Sequence, residues 1–82
     1  MDGVPQLRDW PGEFVSYQVM LSKNLKQYRL LKHLSQEQLG LLASVDRTLV
    51  SKIERCIANP SLEILTRLSI CLHVSISDLV KK

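Results

Sequence analysis

Residues 34–55 read LSQEQLGLLASVDRTLVSKIER, and the predicted architecture depends mainly on this stretch. Its second residue is Ser35, a residue type that caps helices, and Gln38 follows three residues later. The pair predicts a capping box, in which each side chain bonds the other residue's backbone N–H. We therefore predict a helix over about residues 35–43 that buries little beyond Leu39 and Ala43.

A second helix is predicted directly after a short turn at residues 44–46. Asp46 can cap this helix, which we place at about residues 47–55, and Val50 and Ile53 recur three apart on its apolar side. The other side carries hydrogen-bond donors, namely Arg47, Thr48, Ser51, Lys52 and Arg55. Two helices joined by so short a turn form a helix-turn-helix, whose second helix lies in the major groove of DNA.

The segment resembles the helix-turn-helix domains of the Cro and phage-repressor type, also called Xre-type. The resemblance covers about residues 21–80 and is carried by LSQEQL at 34–39, VSKIER at 50–55 and NPSLE at 59–63. Within that type, the DRT at residues 46–48 and the residues after it are similar to controller proteins of restriction-modification systems. The resemblance implies an all-α, five-helix bundle that binds double-stranded DNA sequence-specifically and regulates transcription as a repressor or controller.

The expected DNA contacts follow from this arrangement. We expect the second helix to enter the major groove N-terminus first, with base contacts from Arg47, Thr48, Ser51 and Lys52. Helix N-termini attract anions because their N–H groups are unpaired and the helix dipole is positive there. With the resemblance, this predicts phosphate contacts from Ser35, Gln36, Arg55 and Asn59.

The resemblance also implies a structural ion pair between Arg29 and Glu54, which joins the first and third helices. Relatives commonly have glycine at helix ends that are occupied here by His33, Ser44, Cys56 and His73. A left-handed backbone at such positions costs a residue with a Cβ about 1 kcal/mol or more, so we expect strain or altered cap geometry. Gly40 lies inside a predicted helix, which indicates close packing against it.

The rest of the chain predicts three further helices. Residues 1–12 hold two prolines and no apolar period, so we predict an irregular or disordered arm. Residues 13–82 form one domain, whose first helix runs from Glu13 to about Lys32. Its inward residues are predicted to be Phe14, Tyr17, Leu21, Leu25 and Tyr28. A fourth helix is predicted from Leu62 to about Leu72, with Leu62, Leu65, Leu68 and Leu72 inward, and a fifth after Ser75.

The charge is unevenly distributed along the chain. Residues 1–16 carry a net charge of −2 and residues 17–82 carry +5. A basic domain suits a polyanionic partner, although solubilising charge alone could produce this value. Seven of the ten basic residues of the domain lie in the first three predicted helices, which favours DNA.

One small domain makes too few contacts for tight specific binding, so we expect a homodimer on a palindromic site. Six apolar residues are predicted to face water, which favours self-association: Leu30, Leu41, Leu49, Ile57, Ile64 and Ile70. By analogy with the family, the expected dimer interface involves the last two helices, through Ile64, Ile70, Ile76 and Val80.

Other functions find little support in the residues. Cys71 and His73 lie two apart, and no CxxC or HxxxH spacing occurs, so we predict no metal, cofactor or catalytic residue. No apolar run approaches the roughly 20 residues that span a membrane, and the cysteine usage indicates a reducing bacterial or phage-host cytoplasm. The remaining alternative is an antitoxin-like or protein-interaction module that keeps the fold but binds mainly a protein.

Overall fold

The computed structural model describes residues 10–82, with side chains from Gly12 onward. Every regular element in that range is a helix, and together they are α1 Trp10–Leu31, α2 Gln36–Ala43, α3 Arg47–Glu54, α4 Leu62–Leu72 and α5 Ile76–Val80. The predicted all-α, five-helix architecture is therefore confirmed. The predicted arm lies largely at residues 1–9, outside the described residues, and α1 begins at Trp10 rather than at Glu13.

Short polar side chains start the helices, as the sequence predicts. The Ser35 hydroxyl accepts from the Gln38 N–H at 3.0 Å, and the Gln38 side chain accepts from the Ser35 N–H at 2.8 Å. Asp46 accepts from the Thr48 N–H at 2.8 Å and so begins α3. Ser61 and Ser75 cap α4 and α5 in the same manner. Each cap satisfies a backbone N–H at the start of its helix and so fixes where that helix begins.

The core lies where all five helices meet. Its fully buried side chains are Leu25, Leu39, Val50, Ile53, Leu68, Leu72 and Leu79. Two predicted core residues were wrong, because Tyr17 is 55% exposed and Leu62 is 69% exposed. Leu62 is the first residue of α4 and lies beyond the end of the core, while Tyr17 lines the rim of a shallow groove. Periodicity assigns a helix face but does not show where along that face the packing ends.

The surface apolar residues were predicted with similar partial success. Leu30, Leu41, Ile57 and Ile70 are each more than half exposed, as predicted. Leu49 and Ile64 are half-buried instead, and both pack against the core. Leu49 precedes the buried Val50, and Ile64 lies one helical turn before the buried Leu68, so the packing of these neighbours also covers part of both side chains.

The four helix ends without glycine all adopt a left-handed backbone, as the resemblance implied. The φ angles are 57° at His33, 55° at Ser44, 63° at Cys56 and 56° at His73. After each one, the next N–H donates to the carbonyl five residues earlier, at 2.8–3.1 Å. The glycine-type helix end is thus kept with a side chain present, at a cost of about 1 kcal/mol at each position.

Gly40 permits the tight turn between α2 and α3. A Cβ at this position would lie 2.5 Å from the Val45 carbonyl oxygen and 3.4 Å from the Arg47 nitrogen. The close packing that the sequence predicted at Gly40 is therefore a contact with the turn backbone. It brings the start of α3 against α2.

Candidate nucleic-acid interface

The apolar side of α3 fixes this helix on the domain. Val50 is 0% exposed and Ile53 is 1% exposed, and both belong to the central core. Their spacing of three residues places them on one side of the helix, one turn apart. The opposite side is therefore turned outward along the whole length of α3.

A buried ion pair holds the end of α3 to α1. The Arg29 guanidinium donates to both carboxylate oxygens of Glu54, with Nε–Oε2 at 2.7 Å and Nη2–Oε1 at 2.9 Å. The two side chains are only 9% and 4% exposed, and Arg29 Nη1 also donates to the Leu34 carbonyl at 2.7 Å. The hydrogen bond with Glu54 raises the pKa of Arg29 above its ordinary value. The pair implied by the resemblance is thus present in the structure.

Gln36 joins the same network from the first turn of α2. Its Nε2 donates to Glu54 Oε1 at 3.3 Å, a contact that the sequence analysis missed. The Gln36 amide has a second N–H that can donate to another acceptor. The Glu54 carboxylate therefore links α1, α2 and α3. This link fixes the position of Gln36, a predicted phosphate contact, relative to the outward side of α3.

The outward side of α3 is polar and accessible. Arg47, Thr48, Lys52 and Arg55 are exposed, and Ser51 is half-buried. A shallow concavity of about 240 Å³ lies between α2 and α3, and it is lined by Gln36, Arg47, Thr48, Ser51 and Arg55. The structure thus brings most of the predicted base and phosphate contacts to one surface. Lys52 is exposed on the same helix but does not line the concavity.

Two further predicted phosphate contacts lie before and after α3 along the chain. Ser35 is exposed at the start of α2, where its hydroxyl already accepts the capping bond from Gln38. Asn59 is exposed in the segment that follows α3, where it lines a groove beside α1. Neither residue lines the concavity between α2 and α3.

Two side chains that the sequence did not single out bind the backbone just before and just after α3. Gln18 on α1 donates to the Ala58 carbonyl at 3.1 Å, just after α3. Arg67 on α4 donates to the Ser44 carbonyl at 3.0 Å, in the turn just before α3, and also pairs with Glu63 at 2.8 Å. Both bonds join residues more than 20 positions apart, so no local pattern could have revealed them.

The residues expected at a dimer interface lie elsewhere on the domain. Ile70 is 66% exposed on α4. Ile64, Ile76 and Val80 are half-buried, and two of them, Ile64 and Val80, pack against the core of the same chain. Ile70 is therefore the one of the four with most of its side chain accessible.

Within residues 10–82, no group of three or more His, Cys, Asp or Glu side chains is placed to hold a metal ion. No helix in that range has the length and apolar character needed to cross a bilayer.

Comparison with known proteins agrees with this geometry. The family model HTH_3, described as helix-turn-helix, matches residues 25–79. Control protein C.SmaI of Serratia marcescens is 32% identical over 69 residues, which cover 84% of this chain and 82% of that protein.

Two solved structures are also similar. The restriction-modification controller protein C.AhdI from Aeromonas hydrophila superposes with a TM-score of 0.72 and 34% identity, covering 76% of this chain and 94% of that one. The hypothetical transcription factor NHTF from Neisseria gives a TM-score of 0.76 and 31% identity, covering 79% and 73%. The resemblance inferred from the sequence is confirmed, and the chain belongs to the HTH_3 helix-turn-helix family.

Proposed function

We propose that this protein is a sequence-specific DNA-binding regulator of transcription that acts as a homodimer on a palindromic operator. The observation that carries the proposal is the division of α3 into two sides. Val50 and Ile53 are buried, whereas three of the donors on the opposite side are exposed and line a concavity, namely Arg47, Thr48 and Arg55. An exposed helix side of this kind fits the major groove, whose floor presents hydrogen-bond acceptors.

In this proposal α3 enters the major groove with its N-terminus first. Arg47, the first residue of α3, is exposed and can reach guanine O6 and N7 with two hydrogen bonds. Thr48 and Ser51 line the same concavity, and their hydroxyls can donate to or accept from base edges. Lys52 extends the row of candidate base contacts by a further position.

The phosphate contacts of the proposal flank α3 on both sides. On one side the N-terminus of α2 offers Ser35 and Gln36, and the Glu54 carboxylate holds the Gln36 amide in place. On the other side lie Arg55, the exposed residue that ends α3, and Asn59. Contacts with the phosphate backbone set the register of the protein on the duplex, while the α3 side chains supply preference for particular bases.

The relatives suggest which genes such a regulator controls. C.SmaI is a control protein, and C.AhdI is a restriction-modification controller protein. From this similarity we propose that the chain regulates restriction-modification genes, in the cytoplasm of a bacterium or of a phage host. A DNA-binding regulator of this kind needs neither a catalytic residue nor a cofactor.

Two-fold pairing is part of the proposal because a single small domain makes few contacts with DNA. A single α3 offers about four base-contacting side chains, and two copies on half-sites about 34 Å apart double the contacts. Ile70 is well exposed, and Ile64, Ile76 and Val80 are the other residues proposed for the interface. Sedimentation equilibrium with and without duplex tests this step, because a monomer on DNA would contradict it.

The function is tested by selection of bound fragments from random duplex DNA, followed by a salt titration on the selected site. We expect a palindromic consensus and an affinity that falls steeply with salt, because bound basic residues displace counterions from DNA. A scrambled duplex of the same length is the control and should bind far more weakly. Weak binding without sequence preference would contradict the proposal and would favour a protein as the main partner.

A further inference from the structure

The first helix extends well beyond the part of the chain that the family model matches. The match begins at residue 25, whereas α1 begins at Trp10, so about four helical turns precede it. These turns lie beside the segment that follows α3, residues 56–60, which we term the post-α3 segment. The two elements face each other across a narrow groove lined by Phe14, Tyr17 and Gln18 on α1 and by Ala58, Asn59 and Pro60 opposite.

The post-α3 segment leaves the helix in a conformation that its own sequence does not favour. Cys56 has φ 63°, in the left-handed region where a side chain is disfavoured. Its N–H donates to the Ile53 carbonyl, and the Ile57 N–H donates to the Lys52 carbonyl, both at 3.0 Å. Beyond Ile57 the chain runs in non-helical backbone, where contacts with the rest of the domain have to fix its path.

Gln18 supplies such a contact at Ala58, the residue after Ile57. Its Nε2 donates to the Ala58 carbonyl oxygen at 3.1 Å, across 40 positions of sequence. Both residues are half-buried, and Ala58 packs against the core, so the bond is partly shielded from water. A hydrogen bond of this kind fixes the direction of the carbonyl as well as its position.

The direction of this carbonyl determines the direction of the next N–H. The Ala58–Asn59 peptide is trans, and in a trans peptide the C=O and the following N–H point to opposite sides of the chain. Because Gln18 turns the Ala58 carbonyl toward α1, the Asn59 N–H is turned away from α1. The exposed Asn59 side chain is attached to the Cα atom next to this peptide, so the orientation of the peptide also affects where the side chain lies.

We propose that Gln18 is a positioning residue for DNA binding, which orients the Ala58–Asn59 peptide so that Asn59 meets a phosphate of the operator. This inference rests on the function proposed above. The contact is made by uncharged donors, so it adds affinity for every duplex alike. It adds little to the salt dependence, which reflects counterions displaced by Lys and Arg.

The test replaces the Gln18 amide without adding charge. Gln18→Met keeps the length of the side chain and removes its N–H donors. Gln27→Met is the matched control, because Gln27 is exposed on the same helix nine residues later, which is the opposite side. We expect Gln18→Met to weaken binding of the selected duplex by about 3- to 10-fold, with unchanged base preference and salt slope, and Gln27→Met to bind as the wild type does.

A scan of the operator with single methylphosphonate substitutions separates positioning from simple destabilisation. In the wild type, one neutralised phosphate in each half-site should weaken binding through loss of the Asn59 contact. In Gln18→Met that same substitution should have no further effect, while every other sensitive phosphate keeps its effect. A general loss of folded protein would instead lower the active fraction and leave the pattern of sensitive phosphates unchanged.

Two results would overturn the inference. Gln18→Met could bind as tightly as the wild type, or it could bind weakly and keep the full pattern of sensitive phosphates. If circular dichroism shows that Gln18→Met does not fold, Gln18→Asn takes its place, since its amide is one methylene too short, and the same pattern is expected. A wild-type protein without any preferred duplex would refute the proposed function itself, which is a separate and recognisable outcome.

Discussion

The two sides of α3 have different roles, because one side fixes the helix on the domain and the other is available to a binding partner. The inward side is fixed by Val50 and Ile53, which are at most 1% exposed, and by Glu54, which accepts two hydrogen bonds from Arg29. The outward side has Arg47 and Lys52, which are exposed. The inward residues therefore determine where the helix lies, while the outward residues determine what it can bind. Substitutions on the two sides should therefore change different measured quantities.

The largest effect is expected on the inward side, from Glu54→Ala. This change leaves the Arg29 guanidinium buried without its carboxylate, and it removes the acceptor of Gln36 as well. Breaking a buried pair in this way lowers the free energy of unfolding by about 3–5 kcal/mol. Urea denaturation followed by circular dichroism measures the change.

The neighbour Arg55 provides the control for Glu54→Ala. Arg55 is exposed on the outward side, so Arg55→Ala should change the free energy of unfolding by less than about 0.5 kcal/mol. Similar losses in the two variants would show that the two sides of α3 are not distinct. The double variant Arg29→Met with Glu54→Leu should recover much of the stability, because no buried charge is left unpaired.

The next largest effect is expected at the turn before α3, from Gly40→Ala. The new Cβ would lie 2.5 Å from the Val45 carbonyl oxygen, so the turn backbone has to move. Overpacking of this kind costs about 1–3 kcal/mol, which outweighs the roughly 1 kcal/mol that alanine gains over glycine in a helix. Thermal unfolding of the variant should show a lower midpoint.

Gly12→Ala is the matched control for this substitution. Gly12 also lies in a helix, and a Cβ there meets no atom within 4 Å. Only the helix preference of alanine should therefore change the stability of this variant. We expect Gly12→Ala to leave the midpoint unchanged or to raise it. A stabilising Gly40→Ala would contradict the close contact between α2 and the turn.

The sequence predicted the local features of both sides of α3 well. The Ser35 and Asp46 caps and the spacing of Val50 and Ile53 depend on residues no more than four positions apart, so pattern alone was sufficient. The pairing of Arg29 with Glu54 needed the family resemblance, because the two residues lie 25 positions apart.

The remaining contacts could not be predicted from local pattern. The bonds of Gln36 to Glu54 and of Gln18 to Ala58 exist only once the helices have packed. The error at Leu62 has a related cause, since its spacing matches the buried leucines of α4 while its position lies past the end of the core. The proposed base and phosphate contacts remain predictions that binding experiments have to test.

A smaller effect is expected far from α3 in sequence, at the carboxylate of Asp78 on α5. Hydrogen bonds from Ser75, first through its backbone, and from Lys81 lower the pKa of Asp78 to about 2. A lowered pKa in the folded state stabilises the fold above the unfolded pKa of about 4, and this contribution is lost as the pH falls toward 2. Asp78→Asn lacks the contribution at every pH.

The measurement for Asp78 is the difference in unfolding free energy between wild type and Asp78→Asn as a function of pH. The difference should be constant above about pH 4 and should shrink toward zero near pH 2. Since Asp78 is on α5, DNA affinity at neutral pH should stay unchanged while the protein is folded. A difference that grows on acidification would show that the sign of the pKa shift is wrong.

Base recognition by the outward side of α3 is tested most sharply by comparing the affinity of Arg47→Ala for the selected operator with its affinity for a scrambled duplex. We expect the ratio of the two affinities to fall by about 5- to 150-fold, the equivalent of about 1–3 kcal/mol for one bidentate arginine contact. The free energy of unfolding should stay within about 0.5 kcal/mol of wild type. Lys23→Ala, which removes the same charge from an exposed position on α1, should keep the wild-type ratio. An unchanged ratio in folded Arg47→Ala, measured beside a wild type that discriminates, would contradict the assignment of the outward side of α3 as the surface that recognises bases.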